Sequence, residues 1–177
     1  MVWAQSTMPV SIDAITLRPE RSGDEPFLRE VYASTRKEEM DAAGWPPAMR
    51  EAFLNSQFSA QVQGYRTTFP KADFQIILSN DQSVGRMVVN RATKEILLVD
   101  IALLPAHRNA GIGTALMQRL LSEAAASGKP LRLSVIKGQR AFRLYQRLGF
   151  KKTGESDLRD ELEWRVGNPG AEPDCGA

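Results

Sequence analysis

The sequence predicts an α/β (α+β) protein whose mixed, mostly antiparallel sheet of six to seven strands carries helices on both faces. Two strand patterns, at 74–78 and 83–89, flank a tight-turn signal, which predicts an antiparallel hairpin. The run 96–104 is almost continuously apolar, so both of its faces must be covered. Strand and helix patterns then alternate towards the end of the chain, which predicts two β-α-β crossings.

Length and composition describe one folded domain and exclude several classes of function. The chain has 177 residues, 42% hydrophobic and 25% charged, with a net charge of +2. These values exclude a disordered chain and a general basic field for nucleic acid, and no apolar run is long enough to span a membrane. We expect a flexible N-terminus at 1–13, one domain at 14–166 and a disordered tail at 167–177. No secretory signal opens the sequence, so we expect a cytoplasmic protein.

The composition contains few cysteine or histidine residues that could bind a metal ion or form a disulfide bond. Cys175 is the single cysteine and falls in the predicted tail, so we expect an inert thiol and no intramolecular disulfide. His107 is the single histidine, which excludes a multi-histidine metal centre. No metal is therefore expected.

The first half of the chain combines one strand with two helices before the hairpin. A short strand at 15–18 is stopped by Pro19. Asp24 is expected to cap a helix that has Pro26 in its first turn and runs to the Gly-Trp-Pro-Pro break at 44–47. A second helix follows that break. Its apolar face is formed by Leu54, Phe58, Val62 and Tyr65.

The second half begins with the strongest helix of the sequence. It covers 112–126 and is followed by a Gly128 stop, a strand at 131–136 and a short helix that Gly149 ends. Two last strands are expected at 151–155 and 158–166.

The turn from Arg108 to Thr114 joins the buried strand to this helix and has the composition of an anion site. Gly111 and Gly113 let a ligand approach the backbone, and the first N–H groups of a helix lack internal partners. Arg108 adds a positive charge that can fork onto phosphate oxygens. The P-loop pattern is absent, and the third glycine of a dinucleotide fingerprint is replaced by Leu116. A glycine-rich helix start without any ligand is the plain alternative.

Two motifs in this region resemble those of the GNAT superfamily of acyl-CoA-dependent N-acetyltransferases. The family's turn has Gln or Arg, then two residues, Gly, one residue, and Gly or Ala. Arg108, Gly111 and Gly113 meet it. A later family segment is met by Ala141, Leu144-Tyr145 and Gly149-Phe150. The order of strands and helices extends the resemblance from about Ile15 to Val166, so the expected fold is GNAT-like.

The resemblance implies that acetyl-CoA is the co-substrate. Backbone N–H groups of the turn would hold its pyrophosphate, and the pantetheine arm would pair with the strand at 101–103, which splays from the strand at 131–136 in this family. Gln139 stands near a position where the family often has Asn. The expected contacts are Ile101, Ala102, Leu103, Arg108, Asn109, Ala110, Gly111, Ile112, Gly113, Thr114 and Gln139.

Tyr145 and Asp100 are the candidate catalytic residues. Tyr145 stands at the family's general-acid position, although its spacing also fits a core aromatic. Leu97, Val99 and Ile101 share one parity of the central strand, and none of them is acidic, so Asp100 is the candidate base. Its opposite parity from Ile101 and Leu103 favours a structural role instead. A water relay stays open.

Two further base candidates carry less weight. Glu95 lies at the start of the central strand and is a distant third choice. His107 is expected to be a solvent-facing loop residue beside the turn. Neither displaces Asp100 as the first candidate.

The resemblance implies that the two N-terminal helices and the loop between them shape the pocket for the acceptor. Trp45, Phe53, Gln57 and Tyr65 are the candidate lining residues, with core packing as an equal alternative. The mixed charges there do not choose among acceptors, so we expect a small-molecule or peptide amine, no nucleic acid, no membrane, and a monomer or homodimer.

Three functions follow from these observations. The first is an acetyl-CoA-dependent N-acetyltransferase acting by direct attack in a ternary complex. The second is a CoA-binding regulatory module with weak or no activity. The third, a dinucleotide-dependent enzyme, is weakened by Leu116.

Overall fold

A computed structural model describes residues 14–167 of the chain. The predictions for 1–13, for Cys175 and for nearly all of the expected tail lie outside these residues. The strands are β1 (Ile15–Pro19), β2 (Asp73–Ser79), β3 (Gln82–Arg91), β4 (Ile96–Leu103), β5 (Leu131–Ile136), β6 (Lys151–Glu155) and β7 (Arg159–Trp164). The helices are α1 (Glu25–Thr35), α2 (Lys37–Ala43), α3 (Pro47–Thr68), α4 (Ile112–Ser127) and α5 (Ala141–Arg147).

The described strands form a seven-stranded sheet in the order β1-β2-β3-β4-β5-β7-β6. β4 and β5 pair in parallel, and the other neighbours pair antiparallel. Asn80 and Asp81 both have positive φ angles, as a two-residue hairpin turn between β2 and β3 requires. The mixed, mostly antiparallel sheet predicted from the sequence is therefore confirmed.

Helices cover both faces of the sheet, as predicted. The larger core lies under α4 and α5, where the stripe Ile112, Leu116, Leu120 and Ala124 is buried against the strands. The smaller core lies on the opposite face, where Leu28 and Tyr32 of α1 and Phe58 of α3 pack on Ile76. Within the described residues, no helix is long and apolar enough to span a membrane.

A β-bulge in β4 divides that strand into two halves that are out of phase. Val88 pairs with Asp100 and Val89 with Leu98, which leaves Val99 as the extra residue. Ile96 and Leu98 before the bulge, and Ile101 and Leu103 after it, all join the larger core. The prediction that Leu97, Val99 and Ile101 share one face is therefore wrong, because a regular alternation was assumed through the bulge.

The same bulge precedes an opening between β4 and β5. Their parallel pairing covers only Ile96–Leu98 and Leu131–Leu133. Both strands continue beyond it, but β5 pairs from there onwards only with β7. The β4 edge from Val99 to Leu103 consequently faces an opening rather than a neighbouring strand. We call this gap the β4–β5 opening.

The first helical segment differs from its prediction because it breaks at Arg36. The hydroxyls of Ser34 and Thr35 donate to the carbonyls of Val31 and Tyr32, each at 2.7 Å, and so compete with continued helix pairing. Arg36 leaves helical geometry with φ −106° and ψ 2°. The chain then restarts as α2.

Asp24 also differs from its prediction. It precedes α1, but its side chain makes no capping bond. Its two oxygens accept the Arg18 guanidinium, both at 2.7 Å, and one of them also accepts the Arg21 N–H at 2.8 Å. The Arg18 hydrogen bonds lower the pKa of Asp24 to about 2 against the opposing effect of burial. The carboxylate thus ties β1 to the start of α1 instead of capping the helix.

Candidate active site

The turn before α4 holds a row of backbone donors that no described group satisfies. Asn109 and Gly111 have φ angles of 62° and 82°, and Ile112 is buried in the larger core, which fixes the turn from below. The N–H of Ala115 is the first to bond back, to Gly111 O at 3.0 Å. Within residues 14–167, the N–H groups of 112–114 have no recorded acceptor. Free N–H groups at a helix N-terminus are the arrangement that binds anions in other proteins.

The two glycines of the turn have open space where a side chain would stand. A Cβ on Gly111 or Gly113 would meet no described protein atom within 4 Å. Gly111 needs its residue type for a positive φ, but Gly113 sits in the first turn of α4 without that constraint. Folding therefore explains Gly111 and leaves Gly113 unexplained, whereas a ligand lying on the backbone explains both.

Arg108 directs its guanidinium towards the protein. Nε donates to Leu103 O at 2.9 Å, and one terminal nitrogen donates to Ser34 Oγ at 3.1 Å. Two of its three nitrogens are thus committed to the end of β4 and to α1. The side chain therefore anchors the turn to both neighbouring elements, and its predicted contact with phosphate stays a prediction.

The predicted pantetheine strand lies along the β4–β5 opening. Ile101 and Leu103 point into the larger core, while Ala102 lies on the opposite face. Gly85 of β3 packs closely behind this segment, since a Cβ there would stand 2.3 Å from Ala102 O. The backbone edge that faces the opening is unpaired over these residues, as the resemblance implies.

Tyr145 is a buried residue of α5, and its surroundings are compatible with both interpretations from the sequence, a core aromatic and a general acid. Its ring packs against Phe150 with centroids 5.7 Å apart, as a core aromatic does. Its hydroxyl has no hydrogen-bond partner among the described residues and is not a fully buried atom. Burial, and then the charge of Asp100, raise its pKa to about 12. The phenol is therefore protonated at neutral pH and lies within electrostatic range of Asp100.

Asp100 forms a buried ion pair on the α3 face of the sheet. Its Oδ2 accepts Arg86 Nε at 2.6 Å, and the Arg86 guanidinium also donates to Gln61 of α3. The Arg86 side chain is 7% exposed and that of Asp100 is 20% exposed. Desolvation raises the pKa of Asp100, against the opposing charge of Arg86. Oδ1 has no recorded partner among the described residues.

The other polar candidates lie apart from this pair. Glu95 binds Arg132 at 2.8 Å at the opposite end of β4. His107 is half-buried, not fully solvent-facing as expected, and its side chain has no recorded partner within residues 14–167. Gln139 is exposed in the turn before α5, where its N–H donates to Ile136 O at 3.2 Å.

The acceptor-side aromatics divide into two groups. Trp45 and Phe53 pack edge to face with centroids 5.1 Å apart at the start of α3. Gln57 is exposed, and Tyr65 is half-buried near Asp100, whose charge adds to burial in raising the pKa of Tyr65. Only Tyr65 among the four therefore has a recorded electrostatic link to the buried pair.

The sequence interpretation missed Gln61, Arg86 and Arg159. Gln61 continues the four-residue steps Phe53, Gln57, Gln61 and Tyr65 along α3, a row that the search for apolar spacing overlooked. Arg86 is the one polar residue in the run 84–89 of β3, which is a usable signal for a functional or paired charge. Arg159 gave no signal, since only strand pairing brings it near the opening.

Metal chemistry has no support in the described part of the chain. No group of three or more His, Cys, Asp or Glu side chains there is arranged to hold a metal ion. The chemistry available at the opening is that of backbone donors, a phenol and a carboxylate.

The comparisons with known proteins agree with this geometry. A sequence model of the acetyltransferase (GNAT) domain matches residues 70–152. The PaiA N-acetyltransferase of Thermoplasma acidophilum, solved with coenzyme A, is 18% identical with a TM-score of 0.65, and the match covers 85% of this chain and 98% of that one. An acetyltransferase from Thermus thermophilus is 15% identical with a TM-score of 0.63, and the match covers 90% of this chain and 100% of that one.

A third structure was solved with the acyl donor itself. The GNAT family acetyltransferase of Elizabethkingia anophelis, with acetyl-CoA bound, is 15% identical with a TM-score of 0.55, and the match covers 87% of this chain and 99% of that one. The domain match contains the hairpin, the glycine turn, α4 and Tyr145, and the shared fold extends well beyond it. Residues 70–152 thus match the acetyltransferase (GNAT) domain, and the described part of the chain has the fold of the solved acetyltransferases of that family.

Proposed function

We propose that the protein is an N-acetyltransferase that moves the acetyl group of acetyl-CoA to a primary amine by direct attack in a ternary complex. One observation carries the proposal: the unpaired backbone edge of β4 leads directly into the turn whose N–H groups lack acceptors. A strand edge suits the amides of pantetheine, and a helix N-terminus suits a diphosphate. The two sites lie in the order in which one extended CoA molecule would need them.

Acetyl-CoA is the co-substrate in this proposal and supplies an activated thioester. The free N–H groups of the turn up to Thr114 bind its pyrophosphate, whereas the N–H of Arg108 is taken by Pro105 O at 3.2 Å, and the backbone of 101–103 binds the pantetheine arm. Gln139 stays a predicted contact through its exposed amide. Arg108 acts here as the anchor of the turn, because its guanidinium already has protein acceptors.

The reaction needs one proton removed and one proton supplied. The neutral amine attacks the thioester carbonyl, the C–N bond forms, and the C–S bond breaks. Tyr145 donates a proton to the leaving thiolate, a role supported by its protonated hydroxyl, whose pKa burial and the charge of Asp100 raise to about 12. The amine loses a proton to Asp100 or to a water relay. Asp100 has one oxygen free for this, but its ion pair with Arg86 also fits a structural role.

A catalytically weak CoA-binding module is the second candidate. The observation that favours it is the engagement of Asp100 by Arg86, which leaves no uncommitted carboxylate among the residues named in the opening. Such a module would bind acetyl-CoA through the same turn and strand edge. It would not release CoA when an amine is added.

The experiment that separates these functions measures free CoA release from acetyl-CoA with a panel of primary amines. Amine-dependent release, with an acetylated product found by mass spectrometry, is expected. Tight acetyl-CoA binding without release for any amine would establish the binding module instead. A melting-temperature shift with NAD and none with acetyl-CoA would contradict both. The cytoplasmic location and the monomeric or homodimeric state stay predictions.

A further inference from the structure

One half of the sheet has an open polar face beside the opening. The smaller core, which lies under α1 and α3, contains no residue of β5, β6 or β7. Leu133 and Val135 of β5 and Leu162 of β7 belong to the core on the opposite face. Strand alternation therefore turns Ser134, Ile136 and Arg159 towards the α3 face, where no core residue of those helices covers them.

Arg159 stands at the mouth of the opening on this uncovered face. It pairs with Ile136, the last residue of β5, and so lies one strand beyond the unpaired part of β4. Asp100 and Arg86 lie on the same face, because their strand partners place them opposite the larger core. Arg159 and Asp100 are thus two opposite charges on one face, on either side of the gap between β4 and β5.

The Arg159 side chain is exposed and has no recorded ion pair or hydrogen bond within residues 14–167. The acidic residues nearest along β7 do not pair with it. Glu163 is bound by Arg132 and Arg165 at 2.6 and 2.5 Å, and Glu161 forms no recorded ion pair among the described residues. An arginine at this position is therefore available to an outside anion.

The charge of Arg159 is felt inside the opening. It counteracts the effect of burial on the pKa of Asp100 and of Tyr65. Arg36, at the break between α1 and α2, acts on Tyr65 in the same direction, but its guanidinium is occupied by Glu39 at 3.1 Å. Arg86, Arg36 and Arg159 all act on Tyr65. Of these three arginines, Arg159 is consequently the one whose side chain has no recorded protein partner within residues 14–167.

We infer that Arg159 binds a carboxylate of the acceptor, so that the enzyme acts on amines that carry a carboxylate a few atoms away, as amino acids and short peptides do. The inference rests on the proposed acetyl transfer. A dipolar acceptor would place its carboxylate on Arg159 at the mouth and its amine towards Asp100, where the thioester is expected. The positive charge of Arg159 sets that orientation, because it attracts the carboxylate and repels an ammonium group at the same place, whereas the charge of Asp100 is already paired with Arg86.

The test compares acids with their amides in the wild-type protein and in Arg159→Gln. Glycine, β-alanine and 4-aminobutyrate, each with its matching amide, vary the spacing between amine and carboxylate. CoA release gives kcat/KM for each. For at least one acid we expect Arg159→Gln to lower kcat/KM by about tenfold or more, mainly through KM, with the matching amide little changed. Comparing the variant with the wild type cancels the different intrinsic reactivities of acid and amide.

Arg147→Gln is the matched control, because Arg147 is an exposed arginine of α5 that lies outside the sheet and has no recorded ion pair within residues 14–167. It should leave the acid-to-amide ratio unchanged, and acetyl-CoA affinity should be the same in both variants and the wild type. An equal effect of Arg159→Gln on acids and amides would overturn the inference and leave the proposed transferase intact. No CoA release with any acid or amide, but release with other primary amines, would overturn the inference alone, and no release with any amine would overturn both.

Discussion

The turn before α4 and the cluster around Asp100 lie on the two sides of one opening but are built differently. The turn offers backbone N–H groups, and its donors come from consecutive residues at 112–114. The cluster offers side chains, and its members come from α3, β3, β4 and β7: Gln61, Tyr65, Arg86, Asp100 and Arg159. The first surface is a local product of the chain, whereas the second exists only after the sheet has formed.

Because the two places are built differently, substitutions at them change the stability of the fold to different degrees. Gly113 has no described neighbour that its substitution would disturb, so its proposed role in binding can be tested without unfolding the protein. Arg86 and Asp100 share a buried ion pair, so either substitution also changes the stability of the fold. Four substitutions test this contrast.

Arg86→Gln should have the largest effect. Breaking a buried pair by removing one partner costs about 3 kcal/mol in unfolding free energy, since Asp100 keeps a charge without compensation. The folded-state pKa of Asp100 is already raised, so its contribution is favourable at low pH and is lost as pH rises through that pKa. The deficit should therefore be smaller at pH 5 than at pH 8, as measured by urea unfolding. Arg86→Gln with Asp100→Asn should recover part of it, and equal deficits at both pH values would contradict the argument.

Tyr145→Phe should follow, with kcat lowered about 100-fold and the Kd for acetyl-CoA nearly unchanged, because only the proton donor is removed. Stopped-flow or steady-state CoA release measures the first quantity and calorimetry the second. Tyr32→Phe, a buried tyrosine of the smaller core, is the matched control. Since the pKa of Tyr145 is raised to about 12, its ionisation should not limit the rate below about pH 10. Normal turnover would remove Tyr145 from the mechanism.

Gly113→Val should weaken acetyl-CoA binding about 100-fold, because the branched side chain occupies the space that the pyrophosphate needs. Its unfolding free energy should stay within about 1 kcal/mol of the wild type, since helix propensity favours Val slightly over Gly. Gly111→Val should also lose binding, but its φ of 82° adds strain. Gly64→Val, at an exposed glycine of α3, should leave affinity unchanged. Unaltered affinity in Gly113→Val would count against the site.

Asp24→Asn should have the smallest effect. It measures how much an ion pair outside the opening contributes to the free energy of unfolding. The Arg18 pair stabilises the fold by about 1 kcal/mol after allowance for solvent screening. The pKa of Asp24 is lowered to about 2, so this contribution is complete above the unfolded value and is lost as pH falls through about 2. The wild type and the variant should therefore converge in stability at strongly acid pH. A larger loss than in Arg86→Gln would reverse the ranking of the two pairs.

The sequence was sufficient for the parts of the fold that depend on local pattern. The glycine turn, the α4 stripe and the hairpin at Asn80 and Asp81 follow from neighbouring residues, and the structure has them where predicted. The break at Arg36 was missed because Ser34 and Thr35 oppose the helix through hydroxyl bonds rather than through Gly or Pro. Asp24 was assigned to a cap because the competing Arg18 lies on another element.

The residues on the acceptor side could not be predicted together, because they come close only through the pairing of strands that are distant in sequence. Arg86 and Asp100 are 14 residues apart and become partners only through the pairing of β3 with β4. Arg159 reaches the same face because β7 inserts between β5 and β6. Spacing along the chain indicates which residues are unusual, but strand order decides which of them meet.

The gap beside β4 depends on the one additional residue that β4 has opposite β3, Val99, more than on which side chain stands there. A strand with one residue more than its partner must bend, and bending carries its far half away from β5. Substitutions along 99–103 should therefore alter the lining of the gap while its width persists. Removal of Val99 would instead restore a regular ladder with β3, in which Leu98, Ile101 and Leu103 keep the core face and Asp100 keeps the opposite one, and the bend beside the gap would be lost.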